Sequence, residues 1–363
     1  MSNLQDARFM ALALSLGRRG LGRVWPNPSV GCVIVKDGVI VGRARTADGG
    51  RPHAETIALA QAGAAAKGAT VYVTLEPCAH HGKTPPCADA LSNAGVARVV
   101  VAMGDPHPRV SGRGLAMLRA AGITVDCGVL EDQARRDQAG FLMTQAEARP
   151  FVTLKLAGTL DGRIATASGE SQWITGPAAR RCVHMMRASH DAVMVGAGTA
   201  RADDPSLTVR GLGITKQPVR VVVSRNMKMA QTAKLAQTAD QVPLWLCHGP
   251  DADVAGLTGQ GAVSVPCALD GPQVDLRDVL ANLTARGITR VFCEGGGMMA
   301  ASLLHADLVD ELVVFSAGMV IGAEGTPALA ALGVARLDAA PRFVLDSVHS
   351  VGPDICHRWR RNF

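Results

Sequence analysis

Apolar positions along the chain change rhythm at short intervals, from helical spacing to strand-like runs and back. Residues 6–19 place Phe9, Ala13, Leu14 and Leu16 at helical spacing. Residues 30–35 form a short apolar run, Asp37-Gly38 is a hairpin signal, and residues 39–41 pair back. Helices are expected over 54–62, 87–94 and 114–121, and strands over 70–75, 96–103 and 123–129. The Ala-rich 61–68 reads as a helix end and turn, and the charged stretch 131–148 as one closing helix. The order β-β-α-β-α-β-α-β predicts a layered α/β domain.

Arg149-Pro150 marks a boundary, after which the alternation restarts. Strands are expected over 151–157, 192–195, 219–224, 243–247, 263–267, 290–293 and 311–315, with helices over 176–189 and 276–286 between some of them. This predicts a second α/β domain on a mostly parallel sheet, so the chain divides into 1–148 and 149–363. A length of 363 residues suits two domains, and 48% hydrophobic residues suffice for two ordinary cores.

Charge and cysteine usage narrow the function. The net charge of +6 favours an anionic partner, nucleic acid or a phosphorylated metabolite. Aromatics are only 3% of residues, with one tyrosine, and single-stranded nucleic acid needs aromatic platforms; the small phosphate-bearing ligand is favoured. No apolar run approaches a membrane span, and the first residues show no basic-then-apolar leader. Nine scattered cysteines make no disulfide framework and point to a reducing, cytoplasmic setting.

Only Cys78 and Cys87 sit among His and Pro neighbours in a loop. With His53-Ala54-Glu55 they supply one imidazole, two thiols and a carboxylate, the parts of a zinc deaminase site. Three ligands leave a fourth position for water, and Glu55 moves protons without binding the metal. The expected Pro-Cys-x-x-Cys is stretched, since Cys87 follows Cys78 by nine positions. His80 or His81 as a fourth ligand would instead close a purely structural site. Glu76 has a plain alternative as a residue that caps or holds its loop.

A second cluster lies in the second half. Cys293-Glu294-Gly295-Gly296-Gly297-Met298-Met299-Ala300 follows an apolar strand and opens a helix, where N–H groups can approach a phosphate. It lacks the Gly-x-Gly-x-x-Gly spacing of the common dinucleotide fold, and a plain strand-to-helix turn explains it equally well. Around it stand Lys155 in a strand, Leu160-Asp161-Gly162-Arg163, and the polar stretch 168–175 with Trp173 as a buried-type aromatic. Arg187, Arg201 and Arg210 with Asp203-Asp204-Pro205 are expected to form a charged cluster, Arg201 or any one of them alternatively a surface residue.

His53-Ala54-Glu55 with Thr74-Leu75-Glu76-Pro77-Cys78-Ala79-His80-His81-Gly82-Lys83-Thr84-Pro85-Pro86-Cys87 resembles the deaminase half of the bifunctional riboflavin-biosynthesis deaminase–reductases, in which the long Cys-to-Cys spacing is normal. The resemblance covers essentially the whole chain. It implies a cytidine-deaminase-like fold for 1–148, with zinc on His53, Cys78 and Cys87 and Glu55 as the proton carrier. Asn27 and Lys83 match substrate-contacting positions, Lys83 near the substrate phosphate. Thr46 and His107 stand where the family commonly has His and Asn.

For 149–363 the resemblance implies a dihydrofolate-reductase-like reductase. NADPH would be held by Ala157, Trp173, Thr199, Asp203, Ser224 and the turn and helix start Gly296, Gly297, Met298, Met299, Ala300, Ala301 and Ser302. Ser224 with Arg225 would favour its extra phosphate. Ser171, Arg187, Leu207, Arg210 and Glu294 would contact the ribosyl-phosphate substrate, the arginines by their bidentate geometry. Lys155 would polarise or protonate the ribose, or else only pair with a neighbouring carboxylate. The implied protein is a cytoplasmic homodimer using zinc and NADPH on a phosphoribosylated pyrimidine, with neither nucleic acid nor membrane as partner. The alternatives are a nucleoside or tRNA deaminase with an unrelated appended domain, and a binding protein whose zinc is structural.

Overall fold

The computed structural model describes residues 3–80, 85–106 and 111–361. It divides into two compact units, Met1–Ala148 and Arg149–Phe363. The first contains α1 (Asn3–Arg18), β1 (Gly31–Lys36), β2 (Val39–Arg45), α2 (Ala54–Ala62), β3 (Thr70–Val73), α3 (Cys87–Asn93), β4 (Arg98–Val101), α4 (Arg113–Ala120), β5 (Thr124–Cys127), α5 (Glu131–Asp137) and α6 (Ala139–Ala146). Its strands lie in the order β2-β1-β3-β4-β5, with β1 antiparallel to both neighbours and β3, β4 and β5 parallel.

β1 and β3 are apolar on both faces and buried almost throughout, as strands covered by helices on two sides must be. The β1–β2 turn uses positive φ at Asp37 (48°) and Gly38 (80°), the sign a tight hairpin requires. α1 lies directly on β1: a Cβ at Gly31 would fall 1.8 Å from the Ala13 carbonyl oxygen, so only glycine fits there. The single closing helix expected over 131–148 is two helices that meet at Gln138. There the buried Gln138 amide turns inward and donates to the Ser29 carbonyl at 2.6 Å.

The second unit contains β6 (Phe151–Thr159), β7 (Arg163–Ala165), α7 (Pro177–Ala188), β8 (Ala192–Gly196), α8 (Ala197–Asp203), β9 (Val219–Ser224), α9 (Lys234–Gln237), β10 (Leu244–His248), α10 (Ala255–Thr258), β11 (Val263–Pro266), β12 (Leu269–Asp270), β13 (Gln273–Val274), α11 (Leu276–Ala285), β14 (Arg290–Cys293), α12 (Gly297–His305), β15 (Glu311–Ala317), β16 (Thr326–Pro327), β17 (Phe343–Val351) and β18 (Asp354–Arg361). Its main sheet runs β11-β10-β9-β8-β14-β6-β15-β18-β17. The pairs from β11 through β15 are parallel; β18 and β17 add an antiparallel edge. β6 and β8 come early in the unit, yet β14 separates them.

The β17–β18 hairpin is absent from the pattern of apolar positions. A register shift between Leu345 and Ser347 interrupts the alternation of β17, and β18 carries His357, Arg358, Arg360 and Arg361. Open α/β sheets bind ligands at the carboxyl ends of their strands, where the strand order reverses direction. Here that edge is formed by the ends of β6, β8, β9 and β14.

Candidate active sites

In the first unit three short segments converge. His53 caps the N-terminus of α2 in extended conformation, Cys78 lies in the loop leaving β3, and Cys87 opens α3 after Pro86. His53 Nδ1 lies 3.2 Å from Cys87 Sγ and 3.6 Å from Cys78 Sγ, and all three donor atoms fall within 4.8 Å of one another. A tetrahedral zinc with Zn–S of about 2.3 Å and Zn–N of about 2.0 Å sets N···S separations of about 3.6 Å, so the donors fit zinc in kind and spacing. The neighbouring Cys87 thiol, and then His53, hold Cys78 at about 4, while the same contact pushes Cys87 up. The Cys87 backbone N–H donates to Cys78 Sγ at 3.3 Å, and both sulfurs would bind zinc as thiolates.

Glu55 sits in the first turn of α2, 3% exposed. Burial raises its carboxyl above the usual range. His80 is exposed and lies outside the donor cluster; His81, Lys83 and His107 lie outside the described residues. Asn27 is half-buried, and a Cβ on Gly50 would fall 2.0 Å from its amide nitrogen. Thr46 is 2% exposed, and its hydroxyl accepts the Val30 N–H at 3.0 Å, so it serves the backbone.

Glu76 does more than cap a turn. Its buried carboxylate accepts N–H groups from Gly112 and Gly114 at 3.0 Å, Asp105 at 3.2 Å and Leu115 at 3.4 Å. It thus ties the start of α4 to the loop carrying Cys78. The packing is tight, since a Cβ on Gly114 would meet the Pro77 carbonyl oxygen at 2.0 Å.

In the second unit the Gly-rich turn sits at the carboxyl edge. Gly296 caps α12, and its N–H donates to the Thr199 hydroxyl of α8 at 2.8 Å. The next three N–H groups lie in the first helical turn, where no intrahelical acceptor exists. Met298 and Ser302 are exposed, whereas Ala300 and Ala301 face inward. Ala157 is on β6, Ser224 ends β9, and Asp203 ends α8. Trp173 is 66% exposed and not a core aromatic; Arg180 stacks over its ring at 4.5 Å, so the indole is held at the surface by a cation. Ser171 beside it is half-buried.

The charged cluster expected around Arg187, Arg201 and Arg210 does not form as one group. Arg187 makes a two-pronged pair with Glu294, at 2.5 and 3.0 Å. Asp204 pairs with Lys234 at 3.5 Å, and Arg201 reaches the Lys228 carbonyl at 3.3 Å. Arg187, Arg201 and Asp204 thus each turn to a partner outside the group. Lys155 forms no ion pair within 4 Å among the described residues; burial lowers its pKa, with Glu294 opposing. Leu207 is buried with φ of +52°, and Arg210 is exposed. One residue passed over in the sequence also stands here. His184, three positions before Arg187 on α7, lies against Thr208 and Arg210. The shared helix face was the only available signal.

Residues 3–103 match the model of the cytidine and deoxycytidylate deaminase zinc-binding region, and residues 150–357 match the RibD C-terminal domain. The chain belongs to the RibD family. It is 41% identical to the riboflavin biosynthesis protein RibD of Escherichia coli over 97% of this chain and 98% of that one. It is 40% identical to the Aquifex aeolicus RibD, covering 98% of each. Among solved structures, an Acinetobacter baumannii RibD superposes with a TM-score of 0.90 at 38% identity, covering 100% of both chains. A Thermotoga maritima diaminohydroxyphosphoribosylaminopyrimidine deaminase/5-amino-6-(5-phosphoribosylamino)uracil reductase superposes with 0.88 at 35% identity, covering 99% of both. As a RibD, the chain is a bifunctional deaminase and reductase of riboflavin biosynthesis. A cytidine-deaminase-like, zinc-binding domain is followed by a dihydrofolate-reductase-like domain related to NADPH-dependent reductases. The match over 150–357 sets aside the reading of a deaminase with an unrelated appendage.

Proposed function

We propose that residues 1–148 hydrolyse the 2-amino group of 2,5-diamino-6-(5-phosphoribosylamino)pyrimidin-4-one, and that residues 149–363 reduce the ribosyl group of the deaminated product to ribityl. The convergence of His53, Cys78 and Cys87 within 4.8 Å, beside the buried Glu55, carries the first half of this reading. These three residues would hold zinc, which would act as a Lewis acid and bring a water near neutral acidity. Glu55 would take a proton from that water as its oxygen adds to C2 of the ring, and deliver it to the 2-amino nitrogen, so that the C2–N bond breaks and ammonia leaves. Asn27 and Lys83 contact the substrate, Lys83 its phosphate. Among the described residues His80 does not join the three donors, which supports an open fourth position.

In the second half, NADPH supplies the hydride. The first turn of α12 from Gly296, with Thr199, Ala157, Asp203, Ser224 and Trp173, forms its cradle, helped by the positive end of the helix. Ala300, Ala301 and Ser302 support that turn. Glu294, anchored by Arg187, orients the ribosyl chain, with Ser171 and Leu207 lining it and Arg210 presenting a guanidinium to the phosphate. Lys155 places a polarising N–H beside the same edge. The protein works in the cytoplasm as a homodimer through its second unit. Apolar Val344, Leu345, Val348 and Ile355 are exposed on the β17–β18 hairpin, a surface that a second copy would cover. No helix among the described residues is long and apolar enough to cross a membrane, and the shortage of aromatics speaks against nucleic acid.

The test is a coupled assay on the purified, zinc-quantified protein. Ammonia should appear from the diaminopyrimidine without NADPH, and NADPH oxidation should follow only once the deaminated product exists. Glu55→Ala should keep its zinc, lose ammonia release and retain reduction of supplied product. Ammonia release at the parental rate from that variant would end the proposed role of Glu55.

A further inference from the structure

We infer that His184 is a positioning residue that sets the affinity of the reductase for the phosphate end of its substrate, by holding the backbone beneath Arg210. This rests on the reading that Arg210 meets that phosphate. The segment 207–210 crosses in front of α7 as a short strap. It starts at Leu207, whose side chain is buried and whose φ of +52° is a conformation that a branched, non-glycine residue adopts only under constraint from its surroundings. Val209 is fixed on the far side, donating its N–H to Gln217 Oε1 at 2.7 Å and accepting from Gln217 Nε2 at 3.2 Å.

The near side is held by α7 alone. Arg187 and His184 are three residues apart and share a helix face. Arg187 spends two nitrogens on Glu294 and donates with the third to the Thr208 carbonyl at 2.9 Å. His184 Nδ1 lies 3.1 Å from that carbonyl and 3.3 Å from the Arg210 backbone nitrogen. With Nδ1 unprotonated the ring accepts the Arg210 N–H, and with Nδ1 protonated it donates to the Thr208 carbonyl beside Arg187; in either tautomer His184 ties the strap to α7. Burial, and then the guanidinium groups of Arg187 and Arg210, disfavour a charged ring, against the Thr208 carbonyl and Glu294, which is occupied by Arg187. The Arg210 guanidinium itself finds no acceptor among the described residues and is exposed. Its direction is therefore set through its backbone, and His184 is the group that sets it.

The experiment compares His184→Ala, His184→Asn and Arg210→Ala in the full chain. Kinetics are measured with the phosphorylated ribosylaminouracil substrate and with its dephosphorylated counterpart. Asparagine places an amide oxygen near the position of Nδ1 and can accept the same N–H. Loss of one such hydrogen bond should raise KM for the phosphorylated substrate about fivefold to tenfold in His184→Ala, with kcat and the KM for NADPH changed less than about twofold. His184→Asn should recover most of that loss, and the dephosphorylated substrate should not distinguish the three variants from the parent. If Arg210→Ala raises KM while His184→Ala does not, the positioning role is wrong and the phosphate reading stands. If Arg210→Ala leaves KM unchanged, both fail. If the alanine and asparagine variants alike lose NADPH binding, His184 merely supports the fold and the inference is overturned.

Discussion

Replacing Glu76 by alanine should weaken the first unit and its metal site together. Glu76→Ala removes the acceptor for four backbone N–H groups, of which those of Asp105 and Gly114 are buried. The two bonds at 3.0 Å are charge-assisted and worth about 1.5 kcal/mol each; the two longer ones add about 0.5 kcal/mol each. The expected loss is about 4 kcal/mol, which for a domain of this size lowers the midpoint by about 10 °C. Glu76→Gln keeps one carbonyl oxygen and should lose about half as much, because its amide N–H₂ faces donors. The effect reaches the metal because Glu76 anchors the loop that presents Cys78 two residues later. The assay is thermal unfolding of the zinc-loaded full chain, with the rate of zinc transfer to a chromogenic chelator measured alongside. A midpoint within 1–2 °C of the parent (roughly 0.5 kcal/mol) and an unchanged transfer rate would refute the reasoning.

Three further outcomes are expected. Chelating the zinc should abolish ammonia release while leaving reduction of supplied deaminated product within about twofold, since His53, Cys78 and Cys87 all lie in the first unit; parallel loss of both activities would sink this. Asp310→Asn breaks a buried two-pronged pair with Arg149, at 2.7 and 2.8 Å, and the bond to the Val152 N–H, and should cost the second unit about 3–5 kcal/mol in denaturant unfolding. His190 is buried, and burial depresses its pKa to about 3. The unfolded chain takes up that proton at about pH 6.5 and the native one does not, so stability is complete above pH 6.5 and falls by about 1.4 kcal/mol per unit towards pH 3. His190→Gln should flatten that slope in urea titrations of the second unit; an unchanged slope would assign the acid sensitivity elsewhere.

The strand and helix order of the first unit was legible because β1, β3 and β4 are nearly pure apolar runs bounded by Gly and Asp. The cluster of His53, Cys78 and Cys87 with Glu55 beside it was legible because these residue types occur in a restrictive order. Other features depend on contacts between distant residues. Nothing near residue 138 announces that Gln138 will bond to Ser29 and split a helix, and nothing near Glu76 announces four donors about thirty to forty residues away. Trp173 misled by its size, since a large aromatic suggests a core and Arg180 holds it outside. The arginine cluster misled for the opposite reason. Chain neighbours were grouped, whereas Arg187 reaches Glu294 over 107 positions. The β17–β18 hairpin mixes apolar and charged residues without the alternation that a strand with one covered face would show.

The place of β14 in the second sheet bears on how the chain is made. The donors to the metal lie between residues 53 and 87, and the anchor of Glu76 is complete by Leu115, so the deaminase centre can assemble while the ribosome is still translating the second half. The reductase sheet cannot. β6 and β8 emerge early but flank a slot that only β14 fills, nearly a hundred residues after β8. Until Cys293 has left the exit tunnel, both strands present bare ladders of N–H and C=O groups to the cytosol or to a chaperone. A chain stalled before that point is a finished metal centre trailing an open, adhesive half-sheet, and its hazard is aggregation rather than slow turnover.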